Sequence, residues 1–102
     1  MKGATILLIE DERQIRRFVR SALEKEGLRV SEAETRREGL VEAGRCQPEL
    51  VILDLGLPDG DGAGFVDDFR AWSAAPVLVL SARSTDYDKI GVLDAGAYDY
   101  LT

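Results

Sequence analysis

The sequence predicts a doubly wound α/β domain, a five-stranded parallel sheet with helices on both faces. Three observations predict it. The runs Ile6-Leu7-Leu8-Ile9, Leu50-Val51-Ile52-Leu53 and Val77-Leu78-Val79-Leu80 are apolar throughout and do not alternate, as strands covered on both faces read. The segments between them carry apolar residues at helical spacing. Finally, 102 residues allow one domain with a single layered core, and strands alternating with helices in so short a chain call for right-handed crossovers between parallel neighbours.

Each element has its own warrant. After the first run, Ile15, Phe18, Val19, Ala22 and Leu23 share one helical face, and Arg13, Arg16, Arg17 and Arg20 fall largely on the other. Gly27 suits the stop of that helix. Leu28 to Ala33 alternates apolar and polar residues and reads as an edge strand. Thr35 and Glu38 have capping-box spacing and open a second helix, with Leu40 and Ala43 facing inward and an end near Cys46, before Pro48. Phe65, Phe69 and Trp72 mark a third helix that must end before Pro76. Thr85 or Ser84 can cap a fourth, which carries Ile90 and Leu93 and closes at Gly96. Tyr98 to Leu101 is a short, mixed strand that suits the second edge.

Composition narrows the function. Thirteen Lys plus Arg against 19 Asp plus Glu leave a formal net charge of -6, the wrong sign for meeting nucleic-acid phosphate directly. A single Cys rules out an internal disulfide and fits a reducing, cytoplasmic setting. With no His, no histidine base or histidine metal site can exist. The apolar runs are far too short to span a membrane, and no cleavable signal follows the first.

The chemistry gathers at the strand ends. The first run is followed by Glu10-Asp11-Glu12, the second by Asp54 and the third by Ser81. Open α/β sheets bind ligands at the carboxyl ends of strands, where the strand order reverses. In the order 2-1-3-4-5 that point lies between the first and third strands, so Glu10, Asp11 and Asp54 converge. Close carboxylates repel by about 4 kcal/mol per pair at an effective dielectric near 20, so they need a cation or a proton to coexist. Oxygen ligands with room for water suit Mg²⁺. The glycine-rich stretch Leu55-Gly56-Leu57-Pro58-Asp59-Gly60-Asp61-Gly62 can lend the metal a backbone carbonyl, such as that of Gly56. It is no calcium loop, because Leu57 stands where that loop needs its first acid.

Glu10-Asp11, then Asp54 with Pro58 and Gly62, then Ser81-Ala82, then Gly96-Ala97 with Tyr100, together resemble the receiver domain of two-component response regulators across the whole chain. Trp72-Ser73, Pro76, Ser81-Ala82-Arg83-Ser84 and Asp88-Lys89-Ile90 narrow the resemblance to the subfamily with a winged-helix DNA-binding output, and within it to regulators of potassium-transport operons. The resemblance implies a flavodoxin-like sheet. It implies that Asp54 takes a phosphoryl group from a histidine kinase, that Glu10, Asp11, Asp54 and the Gly56 carbonyl hold Mg²⁺, and that Ser81 and Tyr100 form the switch pair. It also implies a homodimer on activation through the fourth helix and fifth strand, where Lys89, Asp94 and Asp99 lie, with DNA bound only by the output domain.

Two departures stand out. The family places a Lys directly after the fifth strand, and this sequence stops at Thr102, one position earlier. Residues 1–102 are therefore expected to be a receiver domain lacking its final helix and any output domain, less stable than a longer form or self-associating. Tyr98 replaces the first acid of a pair common before Tyr in the subfamily, and Asp99 keeps the second.

Several features have plainer explanations. The arginine stripe can help dock a kinase or simply be a solvated face pairing with Glu24. Lys89, Asp94 and Asp99 can be ordinary surface charge. Trp72 is expected in the core or at its rim, and Cys46 as a small apolar residue at a helix end. Other functions meet specific obstacles. An Mg²⁺-dependent phosphatase or nuclease wants a second acid two residues after Asp54, where Gly56 stands, and a general acid that the sequence lacks. A phosphorylation-independent interaction domain has no need of the acid trio with Ser81 and Tyr100. A flavin phosphate would be repelled by the acids.

Overall fold

The three apolar runs form the centre of one sheet. The computed structural model describes residues 3–54, 62–80 and 99–101. In chain order these contain β1 (Thr5–Ile9), α1 (Arg13–Lys25), β2 (Arg29–Ala33), α2 (Arg36–Cys46), β3 (Leu50–Asp54), α3 (Gly62–Arg70), β4 (Val77–Leu80) and β5 (Asp99–Leu101). Every strand pair is parallel, and the order is β2-β1-β3-β4-β5. The alternating strand and the mixed one are the two edges, as their patterning predicts.

Successive side chains of a strand point to opposite faces, and the sheet sorts its residues accordingly. On one face Leu7, Ile9, Val51, Leu53, Val77 and Val79 pack with Ala43 of α2 and Phe65, Val66 and Phe69 of α3. Leu40 and Cys46 join from α2, so both inward-facing residues expected there do face in. Phe65 stacks on Phe69, and Trp72 meets Phe69 edge-on with centroids 5.1 Å apart. Trp72 is half-exposed, a rim anchor just past the end of α3. Among the described residues the other face buries fewer side chains. Ile6, Leu8 and Ile52 pack against Val19 and Leu23 of α1, with Leu28, Val30 and Leu50 around them.

Helix ends follow local chemistry. The Thr35 side chain accepts a hydrogen bond from the Glu38 N–H at 3.0 Å and starts α2. Gly27, at φ 82°, takes the left-handed turn after α1 that a side chain would oppose. Gln47 makes the same kind of turn after α2 at φ 46°, and Pro48 follows. Arg70 closes the turn from α3 into β4 by donating to the carbonyls of Ser73 and Ala75.

Helix α1 corrects one expectation. Only Val19 and Leu23 of its five apolar positions reach the core. Phe18 is 76% exposed, and Ile15 and Ala22 are exposed as well. Arg16, assigned by its spacing to the solvent side, has a side chain only 12% exposed. Ion pairs hold the arginines over β2. Arg16 reaches Glu34 at 3.1 Å and Glu32 at 3.6 Å, and Arg20 reaches Glu32 at 2.8 Å as well as the expected Glu24 at 3.1 Å. These pairs tie the helix to edge strand β2, while part of its apolar stripe stays exposed. The fourth helix, with Ser84, Thr85, Ile90, Leu93 and Gly96, lies outside the described residues.

Candidate phosphoryl-acceptor and metal site

Strand register builds the acidic cluster. Ile9 stands opposite Leu53 in the β1–β3 pair, so Glu10 comes level with Asp54. Parity does the rest. Glu10 follows Ile6 and Leu8, and Asp54 follows Leu50 and Ile52, so both carboxylates emerge on the α1 side of the sheet. Glu10 N–H donates to the Ala33 carbonyl at 3.0 Å, extending the β1–β2 ladder by one step. Asp11 then opens the turn into α1 and is exposed. Carboxylate oxygens of Glu10, Asp11 and Asp54 lie within 4.8 Å of one another. The three acids that the sequence singles out are thus brought together at the carboxyl ends of β1 and β3, beside the amino-terminal end of α1, whose dipole favours negative charge.

Glu10 carries the electrostatic load. It is 4% exposed, the one buried charged residue among those described. Its carboxyl is pushed from 4.5 up to about 8, first by burial, then by its hydrogen bond with Asp54, then by the charges of Asp54, Asp11 and Glu12. Its Oε2 has no hydrogen-bond partner among the described residues. A buried carboxylate oxygen facing two more carboxylates calls for a cation or a proton. Oxygen donors only, with exposed Asp11 leaving room for water, match the preference of Mg²⁺ for a few carboxylates and retained waters. The residues present fit that ion.

One participant escaped the sequence reading. Arg16 Nη1 donates to the Glu10 carbonyl at 2.9 Å while the same guanidinium pairs with Glu34 and Glu32. The available signal was Glu32 on the edge strand and Glu34 just past its end, across from an arginine stripe. Of the remaining predicted residues, Tyr100 lies in β5 and pairs with Val79, and Asp99 of the dimer set pairs with Leu78. Gly56, Ser81, Lys89 and Asp94 lie outside the described residues. Cys46 sits half-buried at the last turn of α2, where burial pushes its thiol up.

Comparison with known proteins decides the family. The profile described as the response regulator receiver domain matches residues 6–102. The chain belongs to the response regulator receiver family. This receiver is 63% identical over 97 residues to the KDP operon transcriptional regulatory protein KdpE of Escherichia coli K12, covering 95% of this chain and 43% of that protein. It is 47% identical over 97 residues to the transcriptional regulatory protein KdpE of Mycobacterium tuberculosis, with the same coverage. The chain thus spans less than half the length of these curated relatives. Among solved structures, the chemotaxis response regulator CheY4 of Vibrio cholerae superposes with TM-score 0.90 at 28% identity, over 99% of this chain and 87% of that one. The BeF3-activated receiver domain of Klebsiella pneumoniae RstA superposes with TM-score 0.88 at 28% identity, over 95% and 83%. The receiver fold is therefore CheY-like and flavodoxin-like, as expected. Among the described residues no helix is long and apolar enough to cross a membrane.

Proposed function

We propose that residues 1–102 form a receiver domain that accepts a phosphoryl group on Asp54 from a sensor histidine kinase. The observation that carries this is the meeting of Glu10, Asp11 and Asp54 within 4.8 Å in a chain of the receiver family. A carboxylate oxygen of Asp54 attacks phosphorus, an O–P bond forms, and the N–P bond to the kinase imidazole breaks with its electron pair leaving on nitrogen. The product is an acyl phosphate on Asp54. Glu10, Asp11, Asp54 and the backbone carbonyl of Gly56 hold Mg²⁺, which when bound supplies the positive charge that the incoming phosphoryl oxygens need. Burial of Glu10 keeps its carboxylate from solvent and available as a ligand to the cation, while exposed Asp11 leaves the site open to the phosphodonor.

The added dianion then attracts the Ser81 hydroxyl, and Tyr100 turns with it. That switch acts on a face of the fourth helix and fifth strand, including Lys89, Asp94 and Asp99, through which two copies dimerise. The receiver works as a signalling switch in the cytoplasm, not as a metabolic enzyme. It controls transcription, in keeping with the KDP operon in the printed name of the E. coli relative. DNA is contacted by an output domain rather than by this acidic one.

Acetyl phosphate with Mg²⁺ tests the reading. Intact-mass analysis should show one hydroxylamine-labile phosphoryl adduct on the parent chain and none on Asp54→Asn. An adduct that persists in Asp54→Asn would place the acceptor elsewhere.

A further inference from the structure

We propose that Arg16 is a positioning residue for the acid pair, an inference that rests on the Mg²⁺ reading above. The peptide joining Glu10 to Asp11 sits between the two carboxylates, so its orientation sets how they face each other. The backbone is held on both sides of the Glu10 Cα. The Glu10 N–H, in the preceding peptide, is fixed to the Ala33 carbonyl of β2, and the Glu10 carbonyl, in the peptide that leads to Asp11, accepts from Arg16 Nη1 at 2.9 Å. The guanidinium is in turn pinned by Glu34 at 3.1 Å and Glu32 at 3.6 Å, with its side chain only 12% exposed. Three different nitrogens, Nη1, Nη2 and Nε, meet the carbonyl and the two acids, a spread that a single ammonium nitrogen does not reproduce.

Two features make this more than a surface ion pair. The carbonyl lies where β1 has ended and α1 has not begun, and among the described residues no backbone N–H takes it. In addition, Arg20, one turn further along α1, pairs with Glu24 and Glu32 and makes no contact with the Glu10 peptide among the bonds described. The two arginines thus share chemistry and differ in whether they grip the site. Groups that orient metal ligands typically lose about tenfold or more in metal affinity when removed.

The experiment compares the parent chain, Arg16→Ala and Arg20→Ala, each checked by circular dichroism for the native fold. Mg²⁺ is titrated while amide shifts are followed, and the carbonyl ¹³C shift of Glu10 is read without metal. The expected result is a shifted Glu10 carbonyl and about tenfold weaker Mg²⁺ binding in Arg16→Ala, with both unchanged in Arg20→Ala. If Arg16→Ala does not fold, Arg16→Lys is read the same way, since one ammonium nitrogen does not reproduce the spread of the three guanidinium nitrogens. Unchanged Mg²⁺ affinity in the Arg16 variant, or equal weakening in the Arg20 variant, overturns the proposal and leaves Arg16 a structural ion pair. A parent chain that binds no Mg²⁺ removes the metal reading and this inference with it, and that failure shows before any variant is compared.

Discussion

The two faces of the sheet are built on different principles. Against α2 and α3 the sheet buries a continuous apolar layer anchored by Phe65 and Phe69. Against α1, among the described residues, it buries Ile6, Leu8 and Ile52 under Val19 and Leu23, and the helix is tied to the edge strand by arginines paired to Glu32. Both acids that end the central strands, Glu10 and Asp54, emerge on this second face. The difference points to a division of labour. The apolar layer holds most of the burial among the described residues, and the charged layer is the one that touches the Glu10 backbone. Apolar burial is non-directional, whereas guanidinium hydrogen bonds carry geometric specificity.

The comparison can be broken where burial is deepest. Phe69→Ala removes a fully buried ring that touches both Phe65 and Trp72. It should cost about 3–5 kcal/mol in chemical denaturation. Phe18→Ala, on the exposed side of α1, should stay within about 0.5 kcal/mol. Equal losses would show that the α1 side is as load-carrying as the other.

Glu10 gives the next effect, on the order of a few kcal/mol, and its sign is set by the raised carboxyl. With a folded value near 8 and an ordinary one of 4.5, the folded state holds the proton more tightly. Its contribution to stability is full below about pH 4.5 and is lost as pH rises through about 8. Metal-free protein should therefore weaken across that window, and Glu10→Gln, which never ionises, should flatten the slope. Mg²⁺ should do the reverse and stabilise increasingly as pH rises, because it takes the ionised form. Thermal melts across pH, with and without Mg²⁺, check both statements.

A smaller effect joins the two faces. A Cβ at Gly39 of α2 would come 2.5 Å from Ile9 Cδ1, and Ile9 is fully buried directly before Glu10. Overpacking of this kind costs about 1–3 kcal/mol, against a gain of up to about 1 kcal/mol in helix propensity. Gly39→Ala should thus destabilise modestly in urea and shift the Glu10 amide. A stabilised variant would show that Ile9 has room to move.

Much of this was legible in the sequence. Unbroken apolar runs mark central strands because both faces are covered, and Thr35, Gly27 and Pro76 mark helix boundaries through local backbone chemistry. The acid trio was legible because strand order and parity fix where residues after β1 and β3 emerge. The seating of α1 was not. Helical spacing places Ile15, Phe18 and Ala22 with Val19 and Leu23, and nothing in periodicity says that Arg16 will sit over Glu32 and Glu34 with its side chain largely covered. Arg70 was missed for the same reason, since its partners are the carbonyls of Ser73 and Ala75, and carbonyls leave no trace in residue type. The close approach of Gly39 to Ile9 likewise arises only from packing.

The central claim is that Glu10, Asp11 and Asp54 act as one cation site. Trp72 follows α3 and precedes β4, at the end of the sheet opposite the acids, so its fluorescence is a poor reporter and amide shifts are the measurement of choice. Titrating Mg²⁺ into the parent chain should move the amides around all three acids together, with a single weak dissociation constant, and Asp11→Asn should weaken that binding several-fold. Binding left unchanged by Asp11→Asn, or amides that respond at separate Mg²⁺ concentrations, would contradict the account.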